Sequence, residues 1–197
     1  MRKTSLIILT ILIIIFGFFL YDSRYDAKPL LSKQIDARCP YYKDFLGRMY
    51  YKYETSNLFI IFPAGEAWLK VRNISQNNFH IVKSCIATDA QNVIYEGRVY
   101  KNADVNTFEN LKNGYYKDKT NVYFNSTIIN GADANSFVLL SFPIGCNNPG
   151  PSYAKDKNFV YYAGNVIQGA DPVSFELYCD NYQFKTRDKS GTYSGEK

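Results

Sequence analysis

The hydrophobic pattern of the chain changes near residue 25, from a continuous apolar run to short alternating segments. Residues 5–21 contain no charged side chain, and the basic Arg2 and Lys3 precede them. Such a run is close to the lower limit of the ~17–25 residues that a membrane-spanning helix needs. Basic residues before a span stay in the cytoplasm. The pattern predicts an uncleaved transmembrane signal anchor at 1–24, a linker at 25–38 and an exported domain at 39–197.

A cleaved signal peptide is the alternative to an anchor. The apolar region of a signal peptide usually has about 7–15 residues and ends in a pair of small residues at the cleavage site. Residues 22–26 contain no such pair, and Cys39 lies too far downstream for a lipoprotein anchor. Both alternatives place the C-terminal domain in the periplasm or outside the cell. The anchor would make the chain a single-pass protein of the inner (cytoplasmic) membrane, with its N-terminus inside.

The domain at 39–197 contains an internal repeat built on two aspartates and a phenylalanine. The second Asp stands fifteen residues after the first, and the Phe stands four residues further on. Three copies have this spacing without a gap, with first aspartates Asp89, Asp118 and Asp156, second aspartates Asp104, Asp133 and Asp171, and phenylalanines Phe108, Phe137 and Phe175. The copies lie near 42–83, 84–114, 115–145 and 153–180, with a truncated copy at 185–197. Fixed-period repeats predict a stacked array with atypical terminal copies.

The residues within a copy predict two strands and a capped turn. Asp-Lys-Asn is a turn sequence, and the Val-Tyr-Tyr of residues 160–162 has high β propensity. Asp171 suits a helix N-cap and Pro172 suits the first helical position. We therefore predict a mainly β protein of antiparallel hairpin or meander repeats with short capped helical turns, plus the N-terminal transmembrane helix. The repeated acids and phenylalanines are predicted to be structural.

The DKNFVYY sequence at 156–162, followed by GADP at 169–172, resembles the DKNYY repeat family of bacterial exported proteins. The resemblance covers roughly residues 84–180 well, extends weakly to Tyr42 and to Lys197, and leaves out the anchor. One copy departs from the pattern, because Ala90 and Gln91 replace its Lys-Asn pair. The family has no assigned biochemical activity, so the resemblance implies export and a repeat fold, and it implies no catalytic residues.

Four cysteines in an exported chain predict disulfides, for which three connectivities exist. Cys39 and Cys85 precede the first Asp of their copies by five and four residues, and Cys146 and Cys179 precede theirs by ten and nine. Residues at matching positions of neighbouring repeats tend to be adjacent in a stack. This register favours Cys39–Cys85 and Cys146–Cys179. No C-x-x-C pair is present to favour a zinc site.

Composition narrows the chemistry further. Aromatic residues reach 17%, with 18 Tyr and 14 Phe, which again favours strands. The single histidine, His80, cannot form a multi-histidine metal site, and it is the one candidate base for a nucleophile at Ser84 or Cys85. The net charge of +5 is mild, and its Lys and Arg are dispersed among Asp, which is unlike a nucleic-acid-binding protein. We predict no cofactor and no metal.

The sequence indicates a location and an architecture without revealing an activity. The first hypothesis is a non-enzymatic interaction or structural module of the cell envelope, with the membrane and an unknown protein or glycan as partners. Binding of peptidoglycan or polysaccharide is a special case, because exposed tyrosine rings can stack on sugars. The competing hypothesis is a cell-envelope hydrolase that uses a carboxylate pair or Cys85. A contiguous exposed tyrosine patch would favour glycan binding, and a cleft joining Asp or Cys to His80 would favour catalysis.

Overall fold

The computed structural model of the chain describes residues 28–55, 65–143, 146 and 153–193. The predicted transmembrane helix at 1–24 lies outside these residues. Within the described part of the chain, no helix has the length and apolar character needed to cross a membrane. The described residues form nineteen strands, and the mainly β fold expected from the sequence is confirmed.

The strands form five antiparallel sheets, and within each sheet the strands pair in sequence order as a meander. The first sheet contains Lys33–Asp36 (β1), Cys39–Lys43 (β2), Met49–Thr55 (β3) and Gly65–Lys70 (β4). The second sheet contains His80–Lys83 (β5), Ile86–Thr88 (β6), Asn92–Tyr95 (β7) and Arg98–Lys101 (β8). The third sheet contains Glu109–Lys112 (β9), Tyr115–Lys117 (β10), Val122–Phe124 (β11) and Thr127–Ile128 (β12). The fourth sheet contains Val138–Leu139 (β13), Tyr153–Lys155 (β14), Val160–Tyr162 (β15) and Asn165–Val166 (β16). The last has three strands, Glu176–Asp180 (β17), Gln183–Asp188 (β18) and Gly191–Tyr193 (β19).

Tight turns join neighbouring strands because their residues accept left-handed backbone conformations. Asn113 and Gly114, between β9 and β10, have φ values of 52° and 84°. Asn125 and Ser126, between β11 and β12, have values of 48° and 71°. Two consecutive left-handed residues form the type I′ turn whose twist matches that of the flanking strands. These turns fix which residues of the neighbouring strands pair with each other.

The prediction of short helical turns is wrong. After each second Asp the chain makes one hydrogen-bonded turn, in which the Thr107 N–H donates to the Asp104 carbonyl at 3.3 Å and the Ser136 N–H donates to the Asp133 carbonyl at 3.2 Å. The chain then enters the next strand within two residues of the Phe. Helix nucleation fixes several residues for one hydrogen bond, so a segment that ends after one turn gains nothing from propagation.

Four of the five sheets combine the end of one sequence copy with the start of the next, whereas the first sheet begins with β1 in the predicted linker. Strand β9 closes the copy at 84–114, and it pairs with β10, which opens the copy at 115–145. Strands β13 and β14 are related in the same way, with Val138 opposite Lys155. A copy therefore cannot complete a sheet without its neighbour.

The described residues divide into two compact units, one formed by residues 28–90 with 94–99 and the other by residues 91–93 with 100–193. The core of the first unit contains six buried side chains, those of Cys39, Tyr41, Met49, Val71, Ala87 and Ile94. In the second unit the sheet β9–β12 is covered on both faces. Tyr116 on one face packs on Phe108, and Tyr115 on the other packs on Phe137, with ring centroids 5.8 and 5.5 Å apart.

This double coverage changes the expectation for adjacent tyrosines. Successive residues of a strand point to opposite faces, so a sheet covered on one face would leave one of two adjacent tyrosines exposed. Tyr115 and Tyr116 are instead both buried. Three repeat phenylalanines are likewise buried, at 4%, 1% and 3% exposure for Phe108, Phe137 and Phe175. These buried aromatic residues of the second unit thus fill the spaces on both faces of its sheets.

Candidate functional site

The first aspartate of each regular copy is buried and closes the turn that follows it. Oδ1 of Asp118 accepts hydrogen bonds from the backbone N–H groups of Thr120 and Asn121, both at 2.7 Å. Oδ1 of Asp156 accepts equivalent bonds from Asn158 and Phe159 at 2.7 and 2.8 Å. Asx turns of this kind satisfy backbone donors that the strands leave unpaired. The Asp-Lys-Asn sequence therefore forms a turn, as predicted from the sequence.

The second oxygen of the same carboxylate binds the turn of the preceding copy. In three places Oδ2 of a first aspartate accepts a hydrogen bond from the backbone N–H of a second aspartate. The N–H of Asp104 donates to Asp118 at 2.9 Å, that of Asp133 to Asp156 at 2.8 Å, and that of Asp171 to Asp188 at 2.6 Å. A buried carboxylate is tolerable when donors occupy its lone pairs, because these bonds offset the cost of desolvation. Each first aspartate thus connects two copies.

The lysine that follows the first aspartate completes the connection. Its Nζ forms an ion pair with the second aspartate in three places: Lys119 with Asp104 at 2.6 Å, Lys157 with Asp133 at 2.8 Å and Lys189 with Asp171 at 3.3 Å. Its backbone N–H donates to a hydroxyl three residues after that aspartate, in Thr107, Ser136 or Ser174. We call the first Asp, its Lys, the second Asp and this Ser or Thr an aspartate clasp.

Tyrosine hydroxyls add a further donor to two of the clasps. The Tyr161 hydroxyl donates to Oδ2 of Asp156 at 2.7 Å, and the Tyr123 hydroxyl donates to Oδ2 of Asp118 at 3.2 Å. Burial, and then the hydrogen bond to the Asp156 carboxylate, raise the pKa of Tyr161 above its ordinary value. The phenol therefore stays protonated and remains a donor.

The second aspartates are held in the ionised form. The Lys157 ammonium, followed by the Ser136 hydroxyl and N–H, lowers the pKa of Asp133 to about 2. Lys119 lowers the pKa of Asp104, and Ser174 lowers that of Asp171. A general acid near neutral pH would need a raised pKa. In the part of the chain that the structure describes, no three His, Cys, Asp or Glu side chains lie close enough to hold a metal ion.

The copy that departs from the family pattern has an incomplete clasp. Oδ2 of Asp89 accepts the backbone N–H of Ser75 at 2.8 Å, which is the equivalent of the link between copies. Ser75 stands where the regular copies have an acid, and Ala90 stands where they have the lysine. Asp44, before the first complete copy, instead accepts the N–H groups of Leu46 and Arg48 at 3.0 and 2.8 Å.

The four cysteines form two disulfides, Cys39–Cys85 and Cys146–Cys179, with Cα atoms 5.3 and 5.7 Å apart. This is the pairing that the repeat register favoured. Cys85 lies in the turn between β5 and β6, whereas His80 begins β5 at the other end of that hairpin, opposite Thr88. Nδ1 of His80 lies 2.9 Å from the backbone carbonyl of Asn78. His80 and the two candidate nucleophiles, Ser84 and Cys85, therefore lie at opposite ends of this hairpin.

Tyrosine does not form a broad exposed patch in the described residues. Eight tyrosines are buried, namely Tyr41, Tyr50, Tyr100, Tyr115, Tyr116, Tyr123, Tyr153 and Tyr161, and Tyr182 is the most exposed at 78%. A shallow groove of about 210 Å³ lies beside two hairpin turns, with Phe124, Asn125, Thr127 and Asn165 in its lining. No ionisable side chain lines this groove, so its chemistry suits a small uncharged polar ligand.

Sequence analysis identified the aspartates of the clasps and missed their partners. In the three complete clasps the lysine follows the first Asp directly, and the Ser or Thr stands three residues after the second Asp. The tyrosine that donates to Asp118 or Asp156 stands five residues after it. These constant offsets were available in the sequence. The lysine was interpreted as a turn residue and the tyrosine as a strand residue, and neither they nor the Ser or Thr were predicted to be hydrogen-bond partners.

Comparison with known proteins gives one match. The model of the DKNYY family matches residues 41–127 and, a second time, residues 128–197. The two matches together cover most of the chain and all of the aspartate clasps. No curated protein and no solved structure matches this chain.

Proposed function

This chain belongs to the DKNYY family, and from that premise we propose that it is a non-enzymatic interaction or structural module of the cell envelope. An N-terminal helix at 1–24 anchors it in the inner membrane, with the repeat domain on the outer side. A protein or glycan of the envelope is its partner.

The aspartate clasps are the observation that supports a non-enzymatic module. Each second aspartate of a regular copy pairs with a lysine. The first aspartates of the three complete clasps, Asp118, Asp156 and Asp188, accept backbone donors from two turns. The repeated chemistry of the chain is used to join copies. Stacked repeats of this kind present extended binding surfaces without a catalytic pocket.

The two disulfides support an extracytoplasmic location. Structural disulfides persist in the periplasm and outside the cell, and they are rare in the reducing cytosol. Cys39–Cys85 and Cys146–Cys179 together involve every cysteine of the chain. A domain that needs both bridges has to be exported before it completes folding.

Thiol labelling in cells tests the location. In the full chain, we expect the four cysteines to resist a maleimide reagent until the protein is reduced. A matched variant that lacks residues 4–21 should keep reactive thiols, because it would remain in the cytosol. Free thiols in the full chain would contradict export. Mass spectrometry of the membrane fraction should then show the uncleaved 22.7 kDa chain, and a shorter mature form would replace the anchor with a cleaved signal.

Glycan binding is the second candidate, and the shallow groove beside Asn125 and Asn165 is the observation that favours it. Amide side chains can both donate to and accept from sugar hydroxyls, and Phe124 offers an apolar wall. Insoluble peptidoglycan should pellet the full chain, and Asn165→Ala should reduce the pelleted fraction. Asn181→Ala, in the turn between β17 and β18 and outside the lining of the groove, should not reduce it. Release of soluble sugar fragments would instead indicate a hydrolase.

A further inference from the structure

Two adjacent leucines project into solvent at the start of the described chain. Leu30 is 77% exposed and Leu31 is 84% exposed, in the turn that leads into β1. Leu31 also has a left-handed φ of 50°. A leucine in this conformation is strained relative to glycine or asparagine. Because the side chain is exposed, packing within the described residues does little to offset that strain.

The turn is attached to the first sheet. Pro29 is buried, and Nζ of Lys28 lies 3.5 Å from Oε2 of Glu66 on β4. The same ammonium lies 5.9 Å from the centroid of the Trp68 ring, also on β4. The buried Pro29 and the Lys28 contacts with β4 therefore link the start of this turn to the first sheet.

The chain length places this turn close to the proposed anchor. Leu30 stands nine residues after Tyr21, the last residue of the charge-free run. An extended chain spans at most about 3.3–3.6 Å per residue, so the two leucines lie within ~36 Å of the end of that run. This step rests on the proposed membrane anchor.

The unit that contains the turn is also the basic part of the protein. Residues 28–90 with 94–99 contain ten Lys and Arg and six Asp and Glu, whereas residues 91–93 with 100–197 contain ten of each. The exposed Lys28 and Lys33 flank the leucine pair. Basic side chains beside apolar ones suit an interface where alkyl groups enter the acyl region and ammonium groups remain among anionic headgroups.

We propose that Leu30 and Leu31 insert into the outer surface of the phospholipid bilayer that holds the anchor, with Lys28 and Lys33 at anionic headgroups. The inserted leucines and the anchor together hold the first compact unit against the membrane surface. We call this contact membrane seating. Interfacial apolar residues of this type bind at the boundary between headgroups and acyl chains.

Trp68 provides the measurement, because it is the one tryptophan of the chain and lies beside Lys28. The full chain is reconstituted into vesicles of phosphatidylcholine and phosphatidylglycerol whose acyl chains are brominated. We expect bromine to quench Trp68 fluorescence in the native protein and the variant Leu30→Ser, Leu31→Asn to lose most of that quenching. Omission of phosphatidylglycerol should also weaken the quenching.

Controls separate membrane seating from folding and from the anchor. Tyr182→Asn changes a residue of the other unit that is also exposed and left-handed, with φ 61°, and it should leave Trp68 quenching unchanged. Leu31→Gly should lose quenching while its melting temperature stays equal or rises. Equal quenching in the native chain and the leucine variants, with all of them floating with vesicles, would overturn the seating alone. Failure of the full chain to float would overturn both the anchor and the seating.

Discussion

The clasp at Asp156 is complete, whereas the one at Asp89 lacks its ion pair. Both keep a buried first aspartate that accepts a backbone N–H from the preceding turn, Asp133 in one case and Ser75 in the other. The complete clasp adds Lys157, which pairs with Asp133 at 2.8 Å. Both clasps share the hydrogen bond from a backbone N–H to a buried carboxylate, and this bond forms the joint between copies. The more exposed ion pair is an addition to it.

The packing beneath the complete clasp is where the largest effect is expected. Phe137 is 1% exposed, with its ring centroid 5.5 Å from that of Tyr115 and 5.3 Å from that of Tyr161. Phe137→Ala should lower the free energy of unfolding by about 3–5 kcal/mol, through lost transfer energy and a cavity. Urea denaturation measures it. Val138→Ala, at a half-exposed neighbour, should cost much less. A similar loss in both variants would contradict the layered core.

Removal of the buried carboxylate should rank second. Asp156→Ala leaves the N–H groups of Asn158, Phe159 and Asp133 and the Tyr161 hydroxyl without their acceptor. Unpaired buried donors are costly, so the free energy of unfolding should fall by about 2–3 kcal/mol, because water reaches some of these groups. The same denaturation assay applies. Asp89→Ala should cost a similar amount if the joint is the common element, and a near-zero cost there would show that the ion pair matters more.

The ion pair should appear in the pH dependence of stability. The pKa of Asp133 is lowered from 3.8 to about 2 in the folded chain. Its contribution to stability is therefore complete above pH 3.8 and is lost as the pH falls towards 2. Lys157→Ala should lower the melting temperature at neutral pH, and the difference from the native chain should shrink below pH 3.8. A difference that is constant down to pH 2 would rule out the ion pair as its cause.

The smallest effect is expected at the turn of the incomplete clasp. Ala90 has a left-handed φ of 77°, unlike Lys157 at the matching place of the complete clasp. Ala90→Gly should therefore raise the free energy of unfolding by about 0.5–1 kcal/mol, because glycine accepts this conformation without strain. Differential scanning calorimetry resolves such a change. Asn158→Gly, in a turn without a left-handed residue, should have the opposite sign.

The sequence predicted those features that depend on constant spacing. Cys39 and Cys85 stand at nearly equal distances from the first aspartates of their copies, and the structure joins them. Antiparallel strands and a mainly β fold followed from alternating aromatic and β-branched residues. The predicted helical turn failed because propensity at Asp171 and Pro172 describes how a helix starts, and tertiary pairing ends the segment after one turn.

The joints between copies could not be read from spacing. The second aspartate that binds Asp118 lies 14 residues before it, and the one that binds Asp156 lies 23 residues before it. The difference arises because the segment between the repeat Phe and the first Asp of the next copy varies in length. No fixed offset therefore identifies the two aspartates of a joint. Burial of both Tyr115 and Tyr116 also depends on the layers that cover each face, which a single strand does not reveal.

The direction of the joints has a consequence for the order of folding. The backbone N–H of Asp104 is satisfied by Asp118, and that of Asp133 by Asp156, so each turn is closed by a residue later in the chain. In a polypeptide that crosses a membrane from its N-terminus onward, the leading copies would wait, unfinished, until the next stretch emerges from the translocation channel. For a chain exported as proposed, each copy would complete its joint only after the next copy emerges, and the last copy would complete the one before it.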